Sequence, residues 1–196
     1  MEIKLLEDIL ISDEVSSLVK ENEEVLFSFI PELGLSKGFN QNNEWHIYDV
    51  YDHTLKVLDN LPNNIILRYV GLFHDLGKVK TYTEDDNGVG HFFGHWEESR
   101  KIFLDFCKIN NITGDLVDIV SRLIYYHDIN FNKITESDLK AFLETFSVDD
   151  IKLLFIIKEA DLLAQNTKFH YILDEYNELE ERLIKLKNIL EFICIR

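Results

Sequence analysis

Apolar side chains recur along nearly the whole chain at the three- and four-residue spacing of an amphipathic helix. Leu5, Ile9 and Leu10 predict a short first helix. A second helix is predicted over Val15 to Leu26, with Ser12 as its capping residue. Residues 31–44 contain one Pro, two Gly and four Asn or Gln, and this composition predicts a loop.

Further helices are predicted by the same periodicity over residues 47–60, 65–76, 94–109, 114–127, 136–145, 148–166 and 170–193. Ile47 is expected on the buried face of the first of these. Thr135 with Asp138, and Ser147 with Asp150, resemble capping boxes with Asp in the usual Glu position. They are therefore predicted to start the 136–145 and 148–166 helices.

Two places interrupt the helical pattern. Gly77 is expected to end the 65–76 helix with a positive φ. Residues 80–93 lose the helical period, and the turn Asp86-Asn87-Gly88 predicts a short β-hairpin. With only 8 Gly and 2 Pro in 196 residues, helices are favoured over a turn-rich β fold. We predict an all-α helical bundle with a hairpin-like loop near 80–93. It would form a single domain over 1–196, with its core at 45–167 and helices in 1–44 and 170–193 as extensions.

Charge restricts the partners of such a domain. The net charge of −16 would repel a nucleic-acid backbone, so binding of duplex DNA or long RNA is not expected. A small phosphorylated substrate remains compatible, because bound divalent cations reverse the local sign of charge. The acidic N-terminus and the lack of a long uncharged apolar run predict a cytoplasmic protein without a membrane partner. Cys107 and Cys194 are expected to be reduced thiols, and the oligomeric state is left open.

Histidines and acids occur together in several segments. His74-Asp75 ends the apolar stretch ILRYVGLFHDLGK, and Asp161 lies in the equally apolar LLFIIKEADLLAQN. A buried carboxylate is costly unless it binds a metal or pairs with a cation such as Arg. His53, His95 and His127 lie on or at the ends of neighbouring predicted helices. Taken singly, each histidine has an ordinary explanation, such as an exposed helix end or a hydrogen-bonded imidazole.

Together these residues form a set of nitrogen and oxygen ligands without thiolate: His53, His74, Asp75, His95, His127 and Asp161. Such a set suits one or two divalent ions, with iron, manganese, nickel or cobalt favoured and magnesium or zinc as further options. Consecutive members are separated by as many as 34 residues. Spacing alone therefore does not establish the cluster.

The order H…HD…D and the segment HDLGK at 74–78 resemble the HD-domain phosphohydrolase superfamily over residues 45–167. A narrower resemblance links WHIYDVYDHTLKVLDNL, the segment 71–102 and KEADLLAQN to the HD domain of bacterial tRNA nucleotidyltransferases. Val79 stands where that family has Pro, and Trp96 stands between its GH and the following Glu97. The roughly 45 preceding residues lack the paired aspartates of a nucleotidyltransferase, so nucleotide addition is not expected.

The resemblance implies metal-dependent hydrolysis of a small phosphate ester of the nucleotide type. The substrate would be a 2′-nucleotide, a 2′,3′-cyclic nucleotide or a dinucleotide. His95 and His127 match the fuller pattern of members that hold two metals. A diiron oxygenase branch shares this pattern, which leaves an oxygenase as one alternative. A non-catalytic, nucleotide-binding module is the other.

The resemblance also implies roles for individual residues. Asp75 would bridge two cations, and His95 and His127 would hold the second of them. With a single ion, these two histidines would instead contact phosphate or protonate the leaving group. Lys78 would contact phosphate, although a lysine there also complements a helix dipole. Further expected substrate contacts come from Arg122, Asn166 and Asp128, the last of which would also orient a ligand imidazole.

Overall fold

The computed structural model describes residues 2–194, with the side chains of Glu2, Ile193 and Cys194 outside the described part. Its helices are α1 Glu2–Leu10, α2 Val15–Glu21, α3 Glu23–Phe29, α4 Pro31–Ser36, α5 Val50–Asn60, α6 Ile65–Phe73, α7 Lys78–Thr81, α8 His95–Ile109, α9 Asp115–Tyr126, α10 Glu136–Thr145, α11 Val148–Leu163 and α12 Ile172–Cys194. A 3₁₀ turn, Thr167–Phe169, precedes α12. The prediction of an all-α fold is confirmed.

The one pair of strands among residues 2–194 is the predicted hairpin. Strands β1 (Thr83–Glu84) and β2 (Gly90–His91) pair antiparallel between α7 and α8. The Oδ1 atom of Asp85 accepts hydrogen bonds from the amides of Asn87 (2.8 Å) and Val89 (3.0 Å), which closes the turn. The hairpin prediction is therefore confirmed.

The N-terminal predictions need correction. The helix predicted over Val15 to Leu26 is broken at Asn22, whose side-chain Nδ2 donates to the carbonyl of Leu18 at 2.8 Å. This side-chain bond competes with the helical backbone and explains the break. Ser12 does not cap α2, because Glu14 is its N-cap residue and the Ser12 hydroxyl only accepts from the Glu14 amide.

The loop predicted over 31–44 is wrong for its first six residues, which form α4. Pro31 begins this helix, where its fixed φ suits the first turn and its missing amide hydrogen costs nothing. Leu33 buries its side chain completely against the core. A segment of turn-forming composition therefore forms a short helix with one buried face.

Three helix boundaries also differ from expectation by three residues, and one of them is the end of α11 at Leu163 instead of 166. Helix α5 begins only at Val50, behind the N-cap Asp49, and Ile47 is 57% exposed instead of buried. Helix α6 ends at Phe73, and Gly77 has a φ of −66° instead of a positive one. Glycine is required at position 77 for a steric reason, because a Cβ there would lie 2.3 Å from a backbone oxygen of α8.

The capping predictions hold at both later helices. The Ser147 hydroxyl accepts from the amide of Asp150, whose carboxylate accepts in return from the Ser147 amide, so α11 starts with a complete capping box. The Thr135 hydroxyl caps α10 by accepting from the Asp138 amide at 3.2 Å. The same hydroxyl donates to the Asp138 carboxylate at 2.6 Å, so the reciprocal bond of a full capping box is not formed.

Helices α5, α6, α9 and α11 pack on one another at the centre of the fold. Helix α8 lies against α7 and α9, and α12 lies along α11, while α1 to α4 cover α5 and α6. Buried aromatic side chains such as Phe73, Phe103, Phe142 and Phe146 fill the space between these layers. No helix within residues 2–194 combines the length and the apolar character needed to span a membrane.

Candidate metal centre

Five helices direct the six predicted ligand side chains toward one region of the bundle. His53 projects from α5, and His74 and Asp75 follow the end of α6. His95 is the first residue of α8, His127 follows the end of α9, and Asp161 lies near the end of α11. Subsets of these side chains lie close enough for three of them to hold one metal ion.

The Asp75 carboxylate lies at the centre of the cluster and is only 2% exposed. Its Oδ2 atom is 3.3 Å from Nε2 of His53 and 3.4 Å from Nε2 of His74. Its Oδ1 atom faces the other way, 3.4 Å from Nε2 of His95 and 3.7 Å from Nε2 of His127. The two oxygens of one carboxylate thus serve two separate pairs of imidazoles.

Asp161 belongs to the first of these two groups. Its Oδ1 atom is 2.9 Å from Nε2 of His53 and 4.0 Å from Nε2 of His74. Gln165, one helical turn later, places Nε2 3.3 Å from both Asp161 oxygens and so orients the carboxylate. The first group therefore contains two imidazoles and two carboxylates, and the second contains two imidazoles and one shared carboxylate.

The backbone decides which nitrogen of three imidazoles faces the centre. In His74, His95 and His127, Nδ1 lies 2.8, 3.0 and 2.6 Å, respectively, from the carbonyl oxygen of the residue three positions earlier. A carbonyl only accepts, so Nδ1 must carry the hydrogen and, in the neutral imidazole, Nε2 keeps its lone pair. This arrangement is typical of metal-bound histidines, whose second nitrogen donates to a fixed acceptor.

Two of these ring nitrogens, Nδ1 of His53 and Nε2 of His74, are buried without a hydrogen-bond partner within the described part of the chain. Nε2 of His95 also lies only 3.2 Å from Nε2 of His127, so in the neutral imidazoles two lone pairs face each other. Buried polar atoms without partners are costly, and a cation between them would satisfy them. The donor set therefore fits a divalent metal.

The electrostatics keep both acids ionised. Burial raises the pKa of Asp75, but the Lys78 ammonium and His74 outweigh it and hold that pKa well below its usual range. Burial likewise raises the pKa of Asp161, but its hydrogen bond to His53 outweighs burial and holds that pKa below its usual range. For His53, burial lowers the pKa, yet Asp161 and Asp75 raise it to about 9. A cation entering this group would therefore displace a proton from His53.

Lys78 is buried beside Asp75 and makes three contacts. Its Nζ atom is 2.7 Å from Oδ2 of Asp75, 2.8 Å from Oε1 of Gln41 and 3.2 Å from Nε2 of His46. Sequence reasoning did not select Gln41 or His46 as site residues. His46 lies seven residues before His53, outside the predicted 47–60 helix, and a loop brings it to the site. Nothing in the polar segment 37–44 distinguished Gln41.

Two cavities open onto the cluster. One of about 220 Å³ is lined by Asp75, Lys78 and His95 together with side chains of the hairpin segment. The other, of about 670 Å³, extends from Asp161 toward α12. Both include His46, His127, Asp128, Asp161 and Gln165 in their walls. A bound molecule would therefore reach the cluster from two directions.

Of the three further residues expected to contact substrate, one lies at the cavities and two do not reach the cluster. Asp128 lines both cavities, but the orienting bond expected from it is made by the Ile124 carbonyl, which accepts from His127. Arg122 is not brought to the cluster, because its guanidinium pairs with Asp150 at 3.3 Å at the start of α11. Asn166 also points elsewhere.

Asn166 anchors a loop instead. Its backbone nitrogen donates to the Trp45 carbonyl at 2.8 Å, and its side-chain Nδ2 donates to the Glu44 carbonyl at 3.1 Å. The Trp45 ring stacks on Phe169 with 3.6 Å between ring centroids. These contacts hold the segment that carries His46, so Asn166 acts on the site through the backbone.

Lys158 is a further residue that sequence reasoning missed. It lies on α11 and is buried, and its Nζ atom donates to the carbonyls of His127 at 2.8 Å and Ile129 at 3.1 Å. These bonds fix the turn that follows α9. Its position three residues before Asp161 on α11 was only a weak sign of a role near the site, because a lysine in an amphipathic helix is ordinarily exposed.

Comparisons with known proteins bear on this cluster. The sequence model of a protein family described as HD domain matches residues 45–166. A segment of 72 residues, 34% of this chain, is 36% identical to the A-adding tRNA nucleotidyltransferase of Deinococcus radiodurans. The chain spans only 16% of the length of that relative. The family match contains all six predicted ligands.

Proposed function

The chain belongs to the HD domain family, whose members are generally metal-dependent phosphohydrolases, and from that premise we propose that it hydrolyses a small phosphate ester of the nucleotide type. The substrate would be a 2′-nucleotide, a 2′,3′-cyclic nucleotide or a dinucleotide. One observation carries the proposal: the Nε2 atoms of four imidazoles surround both oxygens of the buried Asp75 carboxylate.

Two divalent cations fit this donor set. His53, His74 and Asp161 with one Asp75 oxygen would hold the first, and His95 and His127 with the other Asp75 oxygen would hold the second. When bound, such ions lower the pKa of water toward neutrality and neutralise charge on phosphate oxygens. Iron, manganese, nickel or cobalt suit these ligands best.

Lys78 supplies a fixed positive charge next to the reacting region. Its ammonium has three hydrogens, and Asp75, Gln41 and His46 occupy all three directions. To contact a phosphate oxygen, Lys78 must release one partner, and the longest of the three contacts is the one to His46 at 3.2 Å. We therefore assign Lys78 to phosphate binding and to holding Asp75, with His46 as the exchangeable partner.

The cations would also decide which substrates can enter. The net charge of the chain is −16, and both Asp75 and Asp161 are held ionised at the site. A phosphate ester would be repelled by this field unless bound cations reverse its sign locally. Binding of substrate is therefore expected to require metal.

The test is the metal content of the full chain purified without chelator, together with phosphate release from nucleotides of the three classes. Asp75→Asn keeps the size of the side chain and removes its charge, and Asp149→Asn is the control at an exposed acid. We expect about two metal equivalents in the wild type and in the control, with loss of metal and of turnover in Asp75→Asn.

Other results would redirect the proposal. One equivalent in the wild type would keep the hydrolase and assign His95 and His127 to phosphate or the leaving group. Iron with oxygen uptake and no phosphate release would favour the oxygenase. No metal after addition of manganese, nickel or iron would contradict the proposal and favour a binding module.

A further inference from the structure

We propose that Phe93 is the surface on which a planar aromatic group of the substrate, such as a nucleobase, stacks. The inference rests on the proposed function and extends it to the part of the substrate that is not hydrolysed. Phe93 lies on the wall of the smaller cavity, which also contains Asp75 and His95. It would act on specificity and not on the chemical step.

The exposure of Phe93 is unusual for its position. The side chain is 76% exposed, although it belongs to the same cavity wall as the buried ligands. A single exposed apolar side chain needs no explanation by itself. An exposed aromatic ring at the mouth of a polar site is different, because it offers a flat apolar face to a ligand that enters the site.

The Phe93 ring has an aromatic neighbour. The His91 imidazole lies parallel to it, with 5.4 Å between centroids and 9° between planes. His91 is in turn 3.3 Å from Oδ2 of Asp85, the residue that closes the hairpin turn. A ring that already stacks on a neighbour loses less freedom when a second ring stacks on it, which lowers the entropic cost of binding.

The lining of the smaller cavity combines aromatic and charged side chains. It contains Phe92 and Trp96 as well as Phe93, and it also contains Asp75 and Lys78. The Lys78 ammonium lies 5.3 Å from the centre of the Phe92 ring, so the charged and aromatic groups adjoin. This arrangement complements a molecule with a phosphate at one end and a flat apolar ring at the other. A nucleotide has that form, whereas a sugar phosphate lacks the ring.

The experiment measures binding and turnover separately on the Mn²⁺-loaded full chain. Calorimetric titrations use adenosine 5′- and 2′-monophosphate, with ribose 5-phosphate as the base-free ligand. Phe93→Ala removes the ring and Phe93→Trp retains an aromatic face. Ile109→Ala is the matched control, since Ile109 is 77% exposed and lines neither cavity. Thermal unfolding of each variant shows that it is folded.

We expect Phe93→Ala to weaken nucleotide binding roughly tenfold, within the range measured for base–aromatic stacking. Ribose 5-phosphate binding should not change, and Phe93→Trp should restore nucleotide affinity. Equal weakening for nucleotide and ribose 5-phosphate would overturn the inference, as would a wild type that binds no nucleotide. Ring-dependent binding without phosphate release would support the inference and contradict the proposed function. Phosphate release with an unchanged nucleotide preference in Phe93→Ala would support the proposed function and contradict the inference.

Discussion

Gly77 links the packing of the bundle to the metal centre, and Gly77→Ala tests that link. A Cβ at this position would lie 2.3 Å from the backbone oxygen of His95 and 2.6 Å from the backbone nitrogen of Ser99. Neither atom can rotate away as a side chain would. The φ of −66° is comfortable for alanine, so the expected cost is steric and not conformational.

The magnitude follows from two contributions. Overpacking against rigid backbone costs about 1–3 kcal/mol. Separation of the two segments would also weaken the hydrogen bond from the Gly77 amide to the Ser99 hydroxyl at 2.8 Å, at about 1 kcal/mol. Replacing glycine reduces the entropy of the unfolded chain and offsets about 0.4–1 kcal/mol. We expect a net loss in the free energy of unfolding of about 1–3.5 kcal/mol.

The same displacement should reach the site. His95 begins α8, and its Nε2 atom now lies 3.4 Å from Oδ1 of Asp75. Moving the start of α8 outward would separate these atoms, while His53, His74 and Asp161 stay in place on other helices. We therefore expect Gly77→Ala to lose the second metal equivalent and to retain the first.

Urea unfolding and elemental analysis measure the two effects. Ser99→Ala is the control, because it removes the hydroxyl without adding volume and should cost about 1 kcal/mol with both metals kept. Unchanged stability of Gly77→Ala would refute the steric reasoning. Reduced stability with two metals still bound would refute the connection to His95.

Three further predictions concern other parts of the chain. Saturating Mn²⁺, at 100 times its Kd, should raise the free energy of unfolding by about 2.7 kcal/mol, and differential scanning calorimetry with and without chelator should show a higher Tm. Lys158→Met leaves one buried and one partly buried carbonyl without a donor and should cost about 2–4 kcal/mol in urea unfolding, whereas a loss below about 1 kcal/mol would argue against that role. Hydrogen bonds from Lys37 and Tyr51 lower the pKa of Glu23, so its stabilisation is present above the unfolded pKa and lost as the pH falls through the folded one. Unfolding measured from pH 7 to pH 3 should accordingly be less sensitive to acid in Glu23→Gln.

Local sequence determined most of the helices and the hairpin, because their signals act over three or four residues. The capping box of Ser147 with Asp150 and the turn after Asp85 needed no distant contact to be predicted. The HDLGK segment likewise indicated the family, since its motif is continuous in sequence. The six ligands were selected in the same way, by order and local context.

Only the tertiary structure decided how distant residues meet. Gly77 was interpreted as a helix end, yet its size is required by α8, which lies 18 residues further along the chain. Arg122 was expected at the substrate and instead pairs with Asp150, while Lys158, unselected, supports the turn after His127. Periodicity reports which face of a helix is buried but not what it is buried against, because that depends on how the other helices pack. For the same reason, the division of Asp75 between two imidazole pairs became visible only in three dimensions.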